Sequence, residues 1–386
     1  MKIKVNNLTL NDLFITFSVL LICISVISYS WNAFILALIP FIFFSLFFIN
    51  KLKIFNVIFI LNLLIIIMIL YTVKNQIFYI EWARNMLFIP LMASGFFIGQ
   101  IAAEKKNLRN NIFKAYYFSA LFVVFYTMII VVPQDFSLFI GERRGYWAKE
   151  YLLFGRTFPF SMGVTHLNMY ITLALTLVII LVLKKYDFKN VSLIIVLFFI
   201  ALSTQSRSPL LFMLNVSFIL AIYHYHKSNN KFNYIINFFV FSSVCAFILV
   251  IYFFNLTQVD ITQSERVNDL SRFYFYAKGL EHMSMEPFGN SLIDTDEFMP
   301  MVNYHNTFLA IGNRFGVLGL IFFITSFFIH IRNIKKLSSL KHKYFLYLLT
   351  YFCFHNFMLE DVIKFDYFVL LLYFILISYT RRLQYV

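Results

Sequence analysis

Twelve stretches of this chain are apolar and long enough to cross a bilayer core of roughly 30 Å. They fall at about 13–29, 32–49, 55–73, 85–102, 112–133, 164–183, 190–204, 209–225, 234–254, 305–330, 344–359 and 366–380. Hydrocarbon offers no partner to an unmet N–H or C=O, so each run is predicted to close its hydrogen bonds internally as a helix. The expected fold is an all-α polytopic membrane protein with about 12 transmembrane helices, a single transmembrane domain over residues 1–386. Composition excludes a soluble alternative, because 61% of the 386 residues are hydrophobic and only 13% are charged. The first run lacks a small-residue cleavage site and is followed at once by another, which predicts a retained span rather than a signal peptide. Cys23, Cys245 and Cys353 all lie inside apolar runs without CxxC spacing, so neither a disulfide framework nor a zinc site is indicated.

The formal net charge of +14 is a topology signal and not a nucleic-acid footprint. Alternate connections between the runs carry 20 of the 32 Lys and Arg residues, from Lys2 and Lys4 through Lys105, Lys106 and Arg109 to Arg381 and Arg382, with only Asp12, Glu104 and Asp187 as acids. The other connections hold 12 basic and 15 acidic residues. The positive-inside rule then puts both termini in the cytoplasm. Two extended hydrophilic loops, 134–163 and 255–304, fall on the outer face, the second between spans 9 and 10. The inner face has no loop large enough for a nucleotide and the chain has no GxxxxGK[ST] phosphate loop, which disfavours a reaction driven by ATP or a nucleotide sugar inside the cell.

The residues with chemical potential gather on that outer face. Arg207, in Ser203-Thr204-Gln205-Ser206-Arg207-Ser208-Pro209, sits between two short runs with almost no loop to hold it. An arginine at this depth is costly unless it meets an anion, and its planar fork fits a phosphate; the bland alternative is snorkelling into headgroups. Arg272 shares a helical face with Tyr276 in a segment patterned like an amphipathic surface helix, where, taken alone, a solvated charge or a salt bridge to Asp269 is the better explanation. His305 and Asn306 open the tenth run directly after the long loop, and an imidazole there suits proton acceptance, with helix capping as the plainer role. Asn306 is a further candidate for substrate contact, as are Arg144 and Arg156 in the first loop and Glu360 and Asp361 in the last outer turn, where ordinary solvated charge is the alternative. The 52 Phe and 24 Tyr are read as lipid-facing or interfacial bulk.

The order of these pieces, Thr204-x-Ser206-Arg207, a long outer loop with Arg272, then His305-Asn306-x-x-Leu309 and Gly316-x-x-Gly319, resembles the O-antigen polymerase and ligase superfamily over roughly residues 140 to 370. The resemblance implies a GT-C-like glycosyltransferase that needs no metal or cofactor. It would work on undecaprenyl-diphosphate-linked oligosaccharides at the periplasmic face of the bacterial inner membrane. Carried onto this chain, Arg207 and Arg272 would hold the donor diphosphate and His305 would be the catalytic residue. Arg144 and Gly155 match the Arg-x10-Gly pattern of polymerases, whereas the second loop does not repeat it. The expected function is polymerisation of O-antigen or a related surface polysaccharide, with membrane lipids and a chain-length regulator as partners and no nucleic acid. Ligation of the polymer to lipid A-core is the near alternative. A lipid-linked oligosaccharide flippase is the distant one, disfavoured because the two halves show no repeat and the polar residues collect at one surface.

Overall fold

The computed structural model describes residues 10–24, 80–134, 149–153, 156–160, 164–204, 207–227, 276–277, 279–289, 306–359 and 367–384. Within them run the helices α1 (Leu10–Ile24), α2 (Ile80–Glu104), α3 (Lys106–Tyr126, continuing into a π turn Thr127–Val131), α4 (Val164–Lys184) and α5 (Phe188–Ser203). They are followed by α6 (Arg207–Lys227), α7 (Thr307–Lys336), α8 (Leu340–Leu359) and α9 (Tyr367–Arg382). Lys106–Val131, His166–Lys184, Ser208–Lys227 and Thr307–Lys336 are long and apolar enough to cross a membrane, and Ile15–Ile24, Leu91–Glu104 and Phe188–Ser203 are shorter apolar helices. These helices agree with a multi-pass membrane protein. The runs expected at 32–49, 55–73 and 234–254 lie outside the described residues.

One local departure from the all-helical expectation falls in the loop 134–163. There β1 (Lys149–Leu153) and β2 (Arg156–Phe160) form an antiparallel hairpin with Leu153 opposite Arg156 and Glu150 opposite Pro159. The aromatic-rich sequence favours a pleated strand over a helix, and Pro159 suits a two-stranded ribbon in which both strands are edges.

The centre of the bundle is built by helices buried on nearly every side, α9 apolar from Tyr367 to Ile377 and α4 apolar but for the row Asn168, Thr172 and Thr176. In α9 every residue from Tyr367 to Ile377 is buried, and α4 is buried from Leu167 to Ile180. A helix with no polar face is stable only where other helices or lipid surround it. Gly95 and Gly99 let α2 lie close along α9, since a Cβ at Gly95 would stand 2.6 Å from the Cβ of Phe374. The outward faces are apolar stripes: Phe118, Phe122 and Ile129 on α3, and Leu211, Leu214, Phe218 and Ile222 on α6. Spacings of three, four and seven make each set one helical face, which hydrocarbon would cover.

Side-chain contacts gather the basic ends of the helices at one end of the bundle. Lys105 Nζ reaches Asp12 at 2.9 Å, linking the end of α2 to the start of α1. Arg382 pairs with Glu104 at 2.6 Å, and Gln384 Nε2 donates to the Asn333 carbonyl at 2.9 Å. Asp187 caps α5 by accepting from Lys189 N–H at 3.2 Å. The charge pattern assigns all of these residues to one side, and the fold brings them together there.

Candidate active site

At the opposite end, α8 is the element that joins the pieces read as important. Arg207 is the first residue of α6, and the next residue, Ser208, shares a 3.0 Å hydrogen bond with Nε2 of His355 on α8. His355 is buried and held edge-on against the Phe212 ring at 5.1 Å. One residue earlier on α8, Phe354 meets Phe308 of α7 with centroids 6.1 Å apart, and Phe357 meets the same ring at 6.3 Å. A single turn of α8 therefore lies between the start of α6 and the start of α7. Ser208 and Phe308 are a hundred residues apart in the chain, and both adjoin this turn.

Thr204 and Asn306 have structural work to do. Thr204 ends α5, is buried, and donates to Asn168 Oδ1 of α4 at 3.1 Å. The Nδ2 of Asn168 is buried with no partner among the described residues, a donor left unused beside the Arg207 segment. Asn306 is the N-cap of α7, and its Oδ1 accepts from Phe308 N–H at 2.9 Å and Leu309 N–H at 3.2 Å. Asn is a favoured cap because its short side chain meets two N–H groups that the first turn leaves orphaned. Thr307 behind it is fully buried. This helix start is thus fixed in place.

Gly316 of the Gly-x-x-Gly segment has a definite purpose. It sits inside α7 with φ 75° and ψ 177°, so the helix breaks there. The freed N–H of Val317 is taken by the carbonyl of Pro287, at 2.8 Å, from the end of the long loop. Gly289 faces it with φ +83°, and a Cβ there would stand 2.6 Å from the Arg314 carbonyl. A Cβ at Gly316 would stand 2.6 Å from the Pro287 carbonyl. Only glycine takes such positive φ without strain and admits backbone this close. Asn313 Nδ2 completes the docking by donating to the Gly279 carbonyl at 2.9 Å. The helical stretch 279–285 is thereby strapped onto the first part of α7. The break also divides α7 by environment: its exposed apolar stripe, Leu318, Ile321, Phe322, Phe328 and Ile329, begins only after Gly316.

Of the other predicted site residues, Arg156 lies in β2 with its backbone paired to Leu153. Arg144, Arg272, His305, Glu360 and Asp361 lie outside the described residues. The sequence reading passed over Ser208 and His355. The signal for His355 was present, since an ionisable side chain inside an apolar run is costly and therefore a functional candidate by default. Nothing in the sequence marks Ser208 as its partner, because the two are 147 positions apart.

A search of curated proteins finds no match. The sequence model of a family described as O-Antigen ligase matches residues 191–324, from within α5 through the break of α7, which supports the resemblance to the O-antigen polymerase and ligase superfamily without separating the two activities.

Proposed function

We propose that this protein is an O-antigen or related surface-polysaccharide polymerase, moving a glycan from undecaprenyl diphosphate to a lipid-linked repeat unit at the periplasmic face of the inner membrane. The observation that carries the reading is the family match over 191–324, which contains Thr204, Ser206, Arg207, His305, Asn306, Gly316 and Gly319 in their expected order. The turn of α8 between the two motif segments supports it, because one lipid diphosphate and one acceptor sugar have to meet in a small space.

In this reading the acceptor hydroxyl oxygen attacks the anomeric carbon of the donor. The bond from that carbon to the diphosphate oxygen breaks, and its electron pair leaves with undecaprenyl diphosphate. His305 takes the hydroxyl proton. Arg207 and Arg272 face the charge that grows on the departing diphosphate, stabilising the transition state more than the bound donor. Guanidinium forks suit that task because they stay charged and bind two oxygens at once. Ser208 and His355 hold the first turn of α6 and so set where Arg207 stands. With the break at Gly316, the twenty residues that remain in α7 span about 30 Å, enough to cross the bilayer and leave 307–315 at its outer boundary beside the loop. Arg144, Arg156, Glu360 and Asp361 are further contacts for the sugars, and a chain-length regulator is the expected partner.

The ligase reading has the matched family's description in its favour and shares the donor chemistry. Gene deletion separates the two. Core carrying a single repeat unit identifies a polymerase, and bare core with accumulated lipid-linked polymer identifies a ligase. Arg207→Ala, Arg272→Ala and His305→Ala should each abolish long-chain polysaccharide while the protein stays in the membrane. Normal chain-length ladders for all three would overturn the assigned site.

A further inference from the structure

The basic end of the bundle carries a cluster that the ion pairs there leave over. Lys184 at the end of α4 sets its ammonium over the Phe113 ring of α3 at 4.8 Å and over the Phe345 ring of α8 at 5.6 Å. Lys341, in the first turn of α8, lies over the same Phe345 ring at 5.7 Å and donates to the Lys184 carbonyl at 3.3 Å. Arg109 is one helical turn before Phe113 on α3 and donates to the Tyr379 hydroxyl at 3.1 Å. His342 follows Lys341. Four cationic or titratable side chains from three helices thus converge around two phenyl rings.

The acids that could neutralise them are engaged elsewhere. Asp12 is paired with Lys105, Glu104 with Arg382, and Asp187 caps α5. Among the described residues no carboxylate pairs with Lys184, Lys341 or Arg109. The first turns of α3 and α8, which lie at this end, also hold no acidic residue. His342 senses the surplus: its pKa is held below the ordinary histidine value by loss of solvent, then by Arg109, Lys184 and Lys341. Lys184 and His342 are exposed and Lys341 and Arg109 half-buried, so a ligand can reach the group from outside.

We infer that Arg109, Lys184 and Lys341 form a binding site for the phosphate of an anionic phospholipid, phosphatidylglycerol or a close relative, at headgroup level on the face opposite the glycan site. A phosphodiester supplies the missing negative charge, and basic pockets between membrane helices are suited to such headgroups. The half-buried Phe113 ring gives the glycerol and upper acyl carbons an apolar contact. A lipid is favoured over a soluble phosphate because the cations lie at the ends of α4 and α8, at the rim of apolar helices.

Native mass spectrometry of the full chain in detergent, titrated with phosphatidylglycerol, phosphatidylcholine or inorganic phosphate, tests this. Phosphatidylglycerol should bind in a defined first step that phosphatidylcholine lacks. Each of Lys184→Gln and Lys341→Gln should weaken that step about fivefold. The control Lys335→Gln/Lys336→Gln, which removes charge elsewhere at the same end, should leave it intact. Equal losses in the control would show diffuse surface charge and overturn the site, and tight binding of inorganic phosphate would overturn the lipid assignment. In phosphatidylglycerol nanodiscs the His342 pKa should rise relative to phosphatidylcholine nanodiscs; an unchanged value would also count against the site. Single substitutions of exposed or half-buried lysines leave the core untouched, and circular dichroism checks that each variant is folded.

Discussion

The two ends of the helix bundle are held by different physics. The basic end is tied by side chains between helix termini, with Lys105 on Asp12 and Arg382 on Glu104. The loop-bearing end is tied chiefly at the backbone: Pro287 supplies a carbonyl to Val317, the Asn313 side chain reaches the Gly279 carbonyl, and two glycines pass each other where a Cβ would not fit. An exposed pair such as Arg382–Glu104 is worth little in high dielectric, while a backbone junction with positive φ is specific to one residue type. The loop end is therefore the end where backbone geometry is over-determined.

This contrast can be broken or sharpened by substitution. The largest effect is expected for Gly316→Ala, which would force an unfavourable φ and set a methyl against the Pro287 carbonyl, costing about 2–4 kcal/mol and freeing 279–289. Faster proteolysis within that stretch and loss of long-chain polysaccharide would report it, and a wild-type digestion pattern would refute the junction. His355→Ala should come next, with about 1–3 kcal/mol lost and polysaccharide reduced roughly tenfold. Ser208→Ala should do part of the same damage, and the double variant should be no worse than His355→Ala alone, since one hydrogen bond is shared. Additive losses would separate the two residues.

At the basic end effects should be smaller. Lys105→Gln leaves the nearly buried Asp12 carboxylate without its ammonium, and a fall in thermal stability with an unchanged polysaccharide ladder is expected. Glu104→Gln removes an exposed pair and should cost about 0–1 kcal/mol. Last is pH. His342 titrates low in the folded protein, so the unfolded chain takes up the proton more readily, and its contribution to stability is lost as pH falls through the unfolded value of about 6.5. A His342→Gln variant should flatten that part of a melting-temperature profile measured in phosphatidylcholine. Any basic-end variant with the polysaccharide defect of Gly316→Ala would erase the contrast.

Much of this was legible in the sequence. Hydrocarbon allows few backbone solutions, so apolar runs read directly as helices, and the alternation of basic connections grouped Asp12, Glu104, Lys105 and Arg382, which side-chain contacts join in pairs. Gly316 and Gly319 were visible as a pair, yet the break in α7 was not. A helix of that composition would continue unless something accepted its freed N–H, and the acceptor, Pro287, comes from a loop rich in polar residues that periodicity does not describe. The run at 305–330 was therefore read as one uninterrupted span.

The hairpin at 149–160 escaped the sequence reading for a related reason: the loop was judged by its charge, and strand pairing is a property of two segments together. The same holds for Ser208 and His355. Ser208 is unremarkable alone, and only the packing of α6 against α8 makes it the partner of His355. What the sequence by itself determined about this protein is what depends on solvent: that the chain is built of apolar helices, and which connections carry the positive charge. What the tertiary structure alone decided is what depends on meeting. It joined Ser208 and Phe308 to one turn of α8, strapped 279–289 at Gly316 and set Lys184 and Lys341 over the Phe345 ring, because non-local contacts leave no periodic trace in the chain that forms them.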